Sequence, residues 1–218
     1  MYINSLVAIG TWITLILIAA VVCRRQWPQQ RELGRKLVHI GIGPVIPFAW
    51  LLKIPTNIAL IVSSTITLAL LLNHRWRFLN TFEDVNRKSY GTIAYGLSIT
   101  LLLVIYWPDN AAAVSAGALV MAFSDGLAGL IGRQINSPSW VVWGQRKSIA
   151  GTLTMALITI VILLAMSLMV SGTFHPLRII VVTGFVVSLE QISKWGVDNV
   201  TVPLGTACTW SWVADMSL

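Results

Sequence analysis

Long apolar runs recur from one end of this chain to the other, and the stretches between them are too short to fold alone. A helix crossing a hydrocarbon core needs ~20 apolar residues, at ~1.5 Å of rise each. Such runs occupy 3–23, 36–52, 55–72, 90–107, 111–132, 148–170 and 178–195, with a weaker one at 200–216. Of the 218 residues, 56% are hydrophobic and 11% charged, where a soluble domain carries roughly 25% charged. The pattern predicts an all-α polytopic integral membrane protein with seven or eight transmembrane helices, read as a single membrane-embedded domain over 1–218. The second run contains Gly41, Gly43, Pro44 and Pro47 and is expected to be kinked or broken. The first run has no positive stretch before it and two arginines after it, so it is expected to be retained with its N-terminus outside.

The basic residues are unevenly shared between the connections. Arg24, Arg25, Arg31, Arg35 and Lys36 follow the first run, and Arg75, Arg77, Arg87 and Lys88 follow the third. Arg133, Arg146 and Lys147 follow the fifth, and Lys194 closes the seventh. The alternate connections hold only Lys53 and Arg178. Thirteen against two is a strong positive-inside bias, which places the basic loops in the cytoplasm. It also accounts for the net charge of +7 as topology and contact with anionic membrane lipids. Nucleic acid is not an expected partner, because the basic residues flank spans and build no surface of their own. Trp27, Trp50, Trp76, Trp107, Trp140, Trp143 and Trp195 fall near span ends, as an aromatic belt requires. Cys23 and Cys208 have neither metal-ligand spacing nor the density of a disulfide framework.

One carboxylate interrupts the fifth run. In "MAFSDGLAGLIGRQ", Asp125 lies seven residues before Gly132, ~10 Å from the cytoplasmic end. A charge at that depth is costly and marks a function by default. Asp125, Ala128 and Gly132 share one helix face. Close packing of small residues explains Gly126 and Gly129, but not the aspartate. The following "GQRKSIAGT" sets Arg146 and Lys147 before a helix start, where cations and free amides suit phosphate. A topology anchor with a serine cap is the alternative; the spacing is not that of a Walker A loop. In "SLEQISKWGVDNVTVPL", Glu190 can pair with Lys194, and Asp198 with Asn199 can serve a turn. Arg35 and Lys36 can snorkel, and His39 beside them can be structural. Taken together, Asp125, Glu190, Asp198 and the Arg146–Lys147 pair come from separate segments yet belong to one membrane face. Carboxylates with nearby cations suit a divalent ion bridging to phosphates.

Three blocks in this order resemble the CTP-dependent polyprenol kinases, a family of phytol and farnesol kinases, dolichol kinase and the CTP-dependent diacylglycerol kinase. They are "RKLVH" at 35–39, "SDGLAGLIGR" at 124–133 continued by "KSIAGT" at 147–152, and "LEQISKWGVDNVTVPL" at 189–204. "RKSYGTIAYG" at 87–96 is a weaker match, and the short chain is most like the bacterial phytol-kinase branch. The resemblance implies transfer of the CTP γ-phosphoryl group to a prenyl alcohol with Mg²⁺, giving CDP and a prenyl monophosphate. It implies a prokaryotic plasma or thylakoid membrane with the active site on the cytoplasmic face. Asp125 and Asp198 would then hold Mg²⁺, and His39 or Glu190 would serve as base beside Asp125. The nucleotide-binding set would be Arg35, Lys36, Gly132, Arg133, Arg146, Lys147, Ser148, Gly151, Thr152 and Asn199. Two positions depart from the family: Ala150 stands where a glutamate is common, and Ser124 where a glycine is common. The competing readings are a lipid cytidylyltransferase, which would release pyrophosphate, a diacylglycerol kinase, and an ion-coupled transporter using Asp125 and Glu190 as a relay.

Overall fold

The computed structural model describes residues 2–76 and 90–214. The weaker sequence match begins at Arg87, and Arg77, Arg87 and Lys88 lie outside the described residues. The all-α expectation holds, with one addition. Ten α-helices are described: α1 (Ile3–Gln26), α2 (Arg31–Ile42), α3 (Val45–Leu51), α4 (Thr56–Trp76), α5 (Gly91–Tyr106), α6 (Ala111–Leu119), α7 (Gly126–Gln134), α8 (Ile149–Ser171), α9 (Pro176–Ile192) and α10 (Asp198–Val213). Between α7 and α8, β1 (Ser139–Val142) and β2 (Gln145–Ser148) form an antiparallel hairpin.

Local chemistry explains the breaks. α2 and α3 separate at Gly43-Pro44, where proline offers no N–H to continue the ladder; the expected break in the second run is there. The hairpin turns through Trp143 and Gly144, both at positive φ (50° and 77°), the geometry of a tight two-residue turn. Ser148 caps α8 by accepting from the Gly151 amide at 3.2 Å, and Gly172 ends it at φ 69°. Pro176 opens α9 at the position where a missing N–H costs nothing.

Among the described residues, four helical stretches are long and apolar enough to cross a membrane: Ile3–Gln26, Thr56–Trp76, Ala111–Gln134 and Ile149–Ser171. The chain is a membrane protein. The third stretch is α6 and α7 joined by a six-residue π-helical turn, Val120–Asp125. α10 packs on α6, α9 and α5, and α8 packs on α7 and α9. Small residues let these backbones meet: a Cβ on Gly117 of α6 would fall 2.5 Å from the Pro203 carbonyl oxygen of α10. Trp107 departs from the aromatic-belt expectation. It is buried, and its indole N–H donates to the Ile54 carbonyl at 3.1 Å.

Candidate active site

The π-helical turn ends on Asp125 and delivers its carboxylate to α2. Lys36 donates from Nζ to Asp125 Oδ2 at 2.7 Å and to its carbonyl at 3.1 Å. Lys36 is therefore buried in an ion pair (7% exposed) and does not snorkel to water. Gly129, one turn beyond Asp125, makes the room: a Cβ there would fall 2.8 Å from Lys36 Cε. His39 lies one turn after Lys36. Its Nε2 is 3.1 Å from the Met121 carbonyl oxygen and 3.4 Å from Asp125 Oδ2. A carbonyl only accepts, so Nε2 carries the proton and Nδ1 is the nitrogen left to accept one. Behind the turn, Thr159 of α8 donates to Ser124 Oγ at 3.0 Å. The serine found where the family commonly has glycine thus has a buried partner.

A second lysine–carboxylate pair stands opposite. Lys147, the third residue of β2, makes an ion pair with Glu190 Oε1 and donates to the Glu190 carbonyl at 3.0 Å. Both side chains are buried. The Glu190–Lys194 pair open to a helix reading is not formed. α9 ends at Ile192, and the Lys194 ammonium sits over the rings of Trp195 and Trp143, 3.9 and 5.4 Å from their centroids. Gln191 Nε2 donates to Glu190 Oε2 at 2.8 Å and to the Thr152 hydroxyl at 2.9 Å, tying α9 to α8. Asp198 opens α10, and its Oδ1 accepts from the Asn199 backbone and side-chain amides at 3.0 and 3.1 Å. Asp125, Glu190 and Asp198 each offer an oxygen within 4.8 Å of the others. Three carboxylates that close repel strongly when unscreened, and Lys36 and Lys147 each neutralise one.

The start of α8 differs from the free helix end suggested by sequence. The Ile149 amide bonds to the Pro138 carbonyl (3.0 Å), Ala150 to Ser137 Oγ (3.2 Å) and Gly151 to Ser148 Oγ. Its amides are taken, so any anion there must be met by side chains. Glycines instead set the spacing: a Cβ on Gly132 would fall 3.1 Å from Gly151 Cα, which brings α7 and α8 into backbone contact. Arg146 is exposed and donates to Ser139 Oγ at 3.1 Å. Glu32 pairs with Arg35 at 2.7 Å and lies 3.5 Å from Arg133.

The two lysine–carboxylate pairs and Asp198 line one cavity of about 1310 Å³. Arg35, Lys36, His39, Asp125, Gly132, Arg133, Arg146, Lys147, Ser148, Gly151, Thr152, Glu190, Asp198 and Asn199, read from the sequence as candidates, are all on its wall. Glu32, Tyr95 and Gln191 share that wall and were missed. Glu32 was legible as an i,i+3 partner of Arg35; Gln191 and Tyr95, whose ring is tilted against His39 at 5.0 Å, lie within the quoted blocks, but their residue types alone did not single them out. Beyond His39 the lining turns apolar, with Ile13, Ile46, Ile58, Ile66 and Leu103 from α1, α3, α4 and α5. The volume exceeds the ~300–1,000 Å³ of one small-molecule pocket, and its two ends differ in chemistry.

Known proteins are similar to this chain in sequence. A phytol kinase of the cyanobacterium Synechocystis is 38% identical over 92% of this chain and 89% of its own length. The chain belongs to the phytol kinase family. Two plant relatives are more distant. Probable phytol kinase 3 of Glycine max is 28% identical over 80% of this chain, and probable phytol kinase 2 of Oryza sativa is 25% identical over 80%. The matches span 60% and 64% of those longer plant proteins. No family model matches the chain, and no solved structure gives a significant match. Membership makes the chain a prenol kinase. Phosphoryl transfer asks a protein mainly for positioning and charge neutralisation. The cavity holds two buried ammonium groups beside three carboxylates.

Proposed function

We propose that this enzyme transfers the γ-phosphoryl group of CTP to a membrane-dissolved prenyl alcohol, with phytol as the favoured acceptor. The products are CDP and the prenyl monophosphate. The observation that carries this reading is the single cavity with a carboxylate–lysine end and an apolar limb. A water-soluble polyanion and a lipid alcohol must meet in one space, and this space offers each its own chemistry.

The carboxylates fit a divalent cation. Asp125 and Asp198, joined by Glu190, are hard oxygen donors within one ion's reach of each other. A Mg²⁺ ion held by these carboxylates would supply positive charge to offset the charge that builds during transfer. Lys36 and Lys147 already neutralise two of the carboxylates and are placed to exchange partners with an arriving phosphate chain. Arg35 adds a donor, since its buried Nε has no hydrogen-bond partner and the residue lines the cavity. Arg133, Arg146 and Asn199 take the outer phosphates and the rest of the nucleotide, while Ser148, Gly151 and Thr152 keep α8 close beneath them. His39 is the better base of the two candidates. Its Nδ1 is free to accept the alcohol proton, whereas Glu190 is engaged by Lys147, Gln191 and the carboxylate cluster.

We also propose that seven or eight segments span the membrane with the N-terminus outside, and that the carboxylate end faces the cytoplasm of a plasma or thylakoid membrane. The charge bias of the connections supports it. A single cysteine at exposed Ser139, in an otherwise cysteine-free chain, should resist impermeant reagents in intact cells and react after lysis. Efficient labelling from outside would reverse the topology.

The reaction is tested with purified enzyme and CTP, ATP, UTP or GTP carrying a labelled γ-phosphate. Phytol, farnesol, geranylgeraniol and diacylglycerol are the acceptors. CTP with a prenol should give labelled prenyl phosphate and CDP. Release of pyrophosphate, or labelling of diacylglycerol alone, would overturn the assignment.

A further inference from the structure

We propose that the apolar limb of the cavity is an end-stopped chamber for the isoprenoid tail and that the wall at Ala49 and Ile54 measures its length. The inference rests on the prenol-kinase reading and adds the residues that set which prenol is taken.

The limb has direction. Its lining runs from His39 to Ala49 along α2 and α3, from Tyr95 to Leu103 along α5, and from Asn73 back to Ile58 along α4. These helices run alternately, yet His39, Tyr95 and Asn73 fall at the carboxylate end and Ala49, Leu103 and Ile58 at the other, with the hydroxyls of Ser63 and Thr67 between them. Fifteen residues of α4 separate Asn73 from Ile58, which is ~22 Å of rise. The space suits a flexible apolar chain laid along the helices, with its hydroxyl at His39.

The far end is walled. Ile46, Ala49, Ile54 and Leu103 all line the cavity and all are buried, so protein lies behind them. The chain turns at this wall through a hydrogen-bonded knot. The Leu52 amide bonds to the Phe48 carbonyl, Lys53 to Trp50, and Ile54 to Ala49 at 3.0 Å. Trp107, itself buried, pins the knot from behind through the Ile54 carbonyl. A wall held this way does not yield to a longer tail as a loose side chain would. Ala49 is its smallest member, so growth there shortens the chamber, and truncation of Ile54 lengthens it.

The test uses the full chain with geraniol, farnesol and geranylgeraniol, which share the reacting allylic alcohol and differ in length. Ala49→Phe should raise the farnesol-to-geranylgeraniol ratio of kcat/KM by roughly tenfold or more, in line with the discrimination that a few methylenes give in an apolar pocket. Ile54→Ala should lower that ratio relative to the parent enzyme. The KM for CTP should stay put in both. If Ala49→Phe does not fold, the direction of change in Ile54→Ala decides alone. Active variants with the parental ratio would overturn the length gauge and leave the kinase reading standing. A parent enzyme that phosphorylates no prenol would remove that reading and the chamber with it.

Discussion

The helices of this molecule belong to two unlike regions. Of the most apolar window of the α6–α7 stretch, 56% is buried inside the protein; for α1 the share is 11% and for α4 it is 6%. In the inner region small residues bring backbones together: α6 meets α10 at Gly117 and Pro203, and α7 meets α8 at Gly132 and Gly151. The rim is built from leucine, isoleucine and valine, and most of those side chains face outward. The difference separates two jobs. Precise chemistry needs groups held by packing, and the carboxylates stand on the packed elements. A lipid substrate needs a boundary with the bilayer, and α1 and α4 are the least buried of the membrane-length helices; Leu6, Val62 and Ile66 on them are exposed and line the cavity.

Breaking the packed side should have the largest effect. Asp125→Asn removes the central charge and should lower turnover by ~10²–10³-fold, the loss typical when one organised electrostatic contact is removed. It also leaves Lys36 buried without its partner, at a cost of ~3–5 kcal/mol, so the melting temperature should fall too. Asp125→Asn combined with Lys36→Met removes both charges and should recover much of the stability with no recovery of turnover. Recovery of both would mean that the pair is purely structural. Lys147→Ala comes next, with kcat/KM reduced by roughly ten- to a hundredfold, as loss of a charge-assisted contact of ~2–3 kcal/mol implies. Wild-type kinetics in the folded variant would remove Lys147 from the phosphate site.

The same substitution placed in each region sharpens the contrast. Gly117→Ala puts a methyl against the Pro203 carbonyl and should destabilise by ~1–3 kcal/mol. Gly10→Ala in α1 meets nothing within 4 Å and should be neutral or stabilising by up to ~1 kcal/mol. Thermal denaturation in one detergent compares the two; equal shifts would contradict the division. The smallest effect is expected from Lys53→Ala, an exposed cation remote from the carboxylates, whose kcat/KM should stay within about twofold of the parent, the ordinary range for a surface change.

Much of this arrangement was legible from residue types. Apolar runs gave the helices, Gly43-Pro44 gave the break, and the charges stranded in apolar surroundings led to Asp125 and to the other carboxylates. What could not be read was which charge meets which. Lys36 and Asp125 are 89 residues apart, and Lys147 and Glu190 are 43 apart. Neighbours in sequence offered easier partners: Lys194 for Glu190, and water for Lys36. The hairpin was hidden for a similar reason. Its strands are only four residues long, and "SWVVWGQRKS" carries no clean alternation, so the turn at Trp143-Gly144 was the sole cue. Trp107 was misplaced because a tryptophan at a helix end reads as an interface anchor until a buried carbonyl claims its N–H.

The π-helical turn has a consequence for length. Each residue of an α-helix advances the facing direction by ~100°, and a wider turn absorbs an extra residue within one rotation. α6 and α7 are thus two segments of one rod set out of phase, with one face fitted to α10 and the other to α2 and α8. Loss of a single residue between Val120 and Ser124 could be taken up as ordinary α-helix, with the rod still long enough to cross a bilayer. The two faces would then no longer match their neighbours together. Either Asp125 swings away from Lys36 or Gly117 swings away from Pro203. The segment that carries Asp125 is in this sense more sensitive to a deleted codon than to most substituted ones.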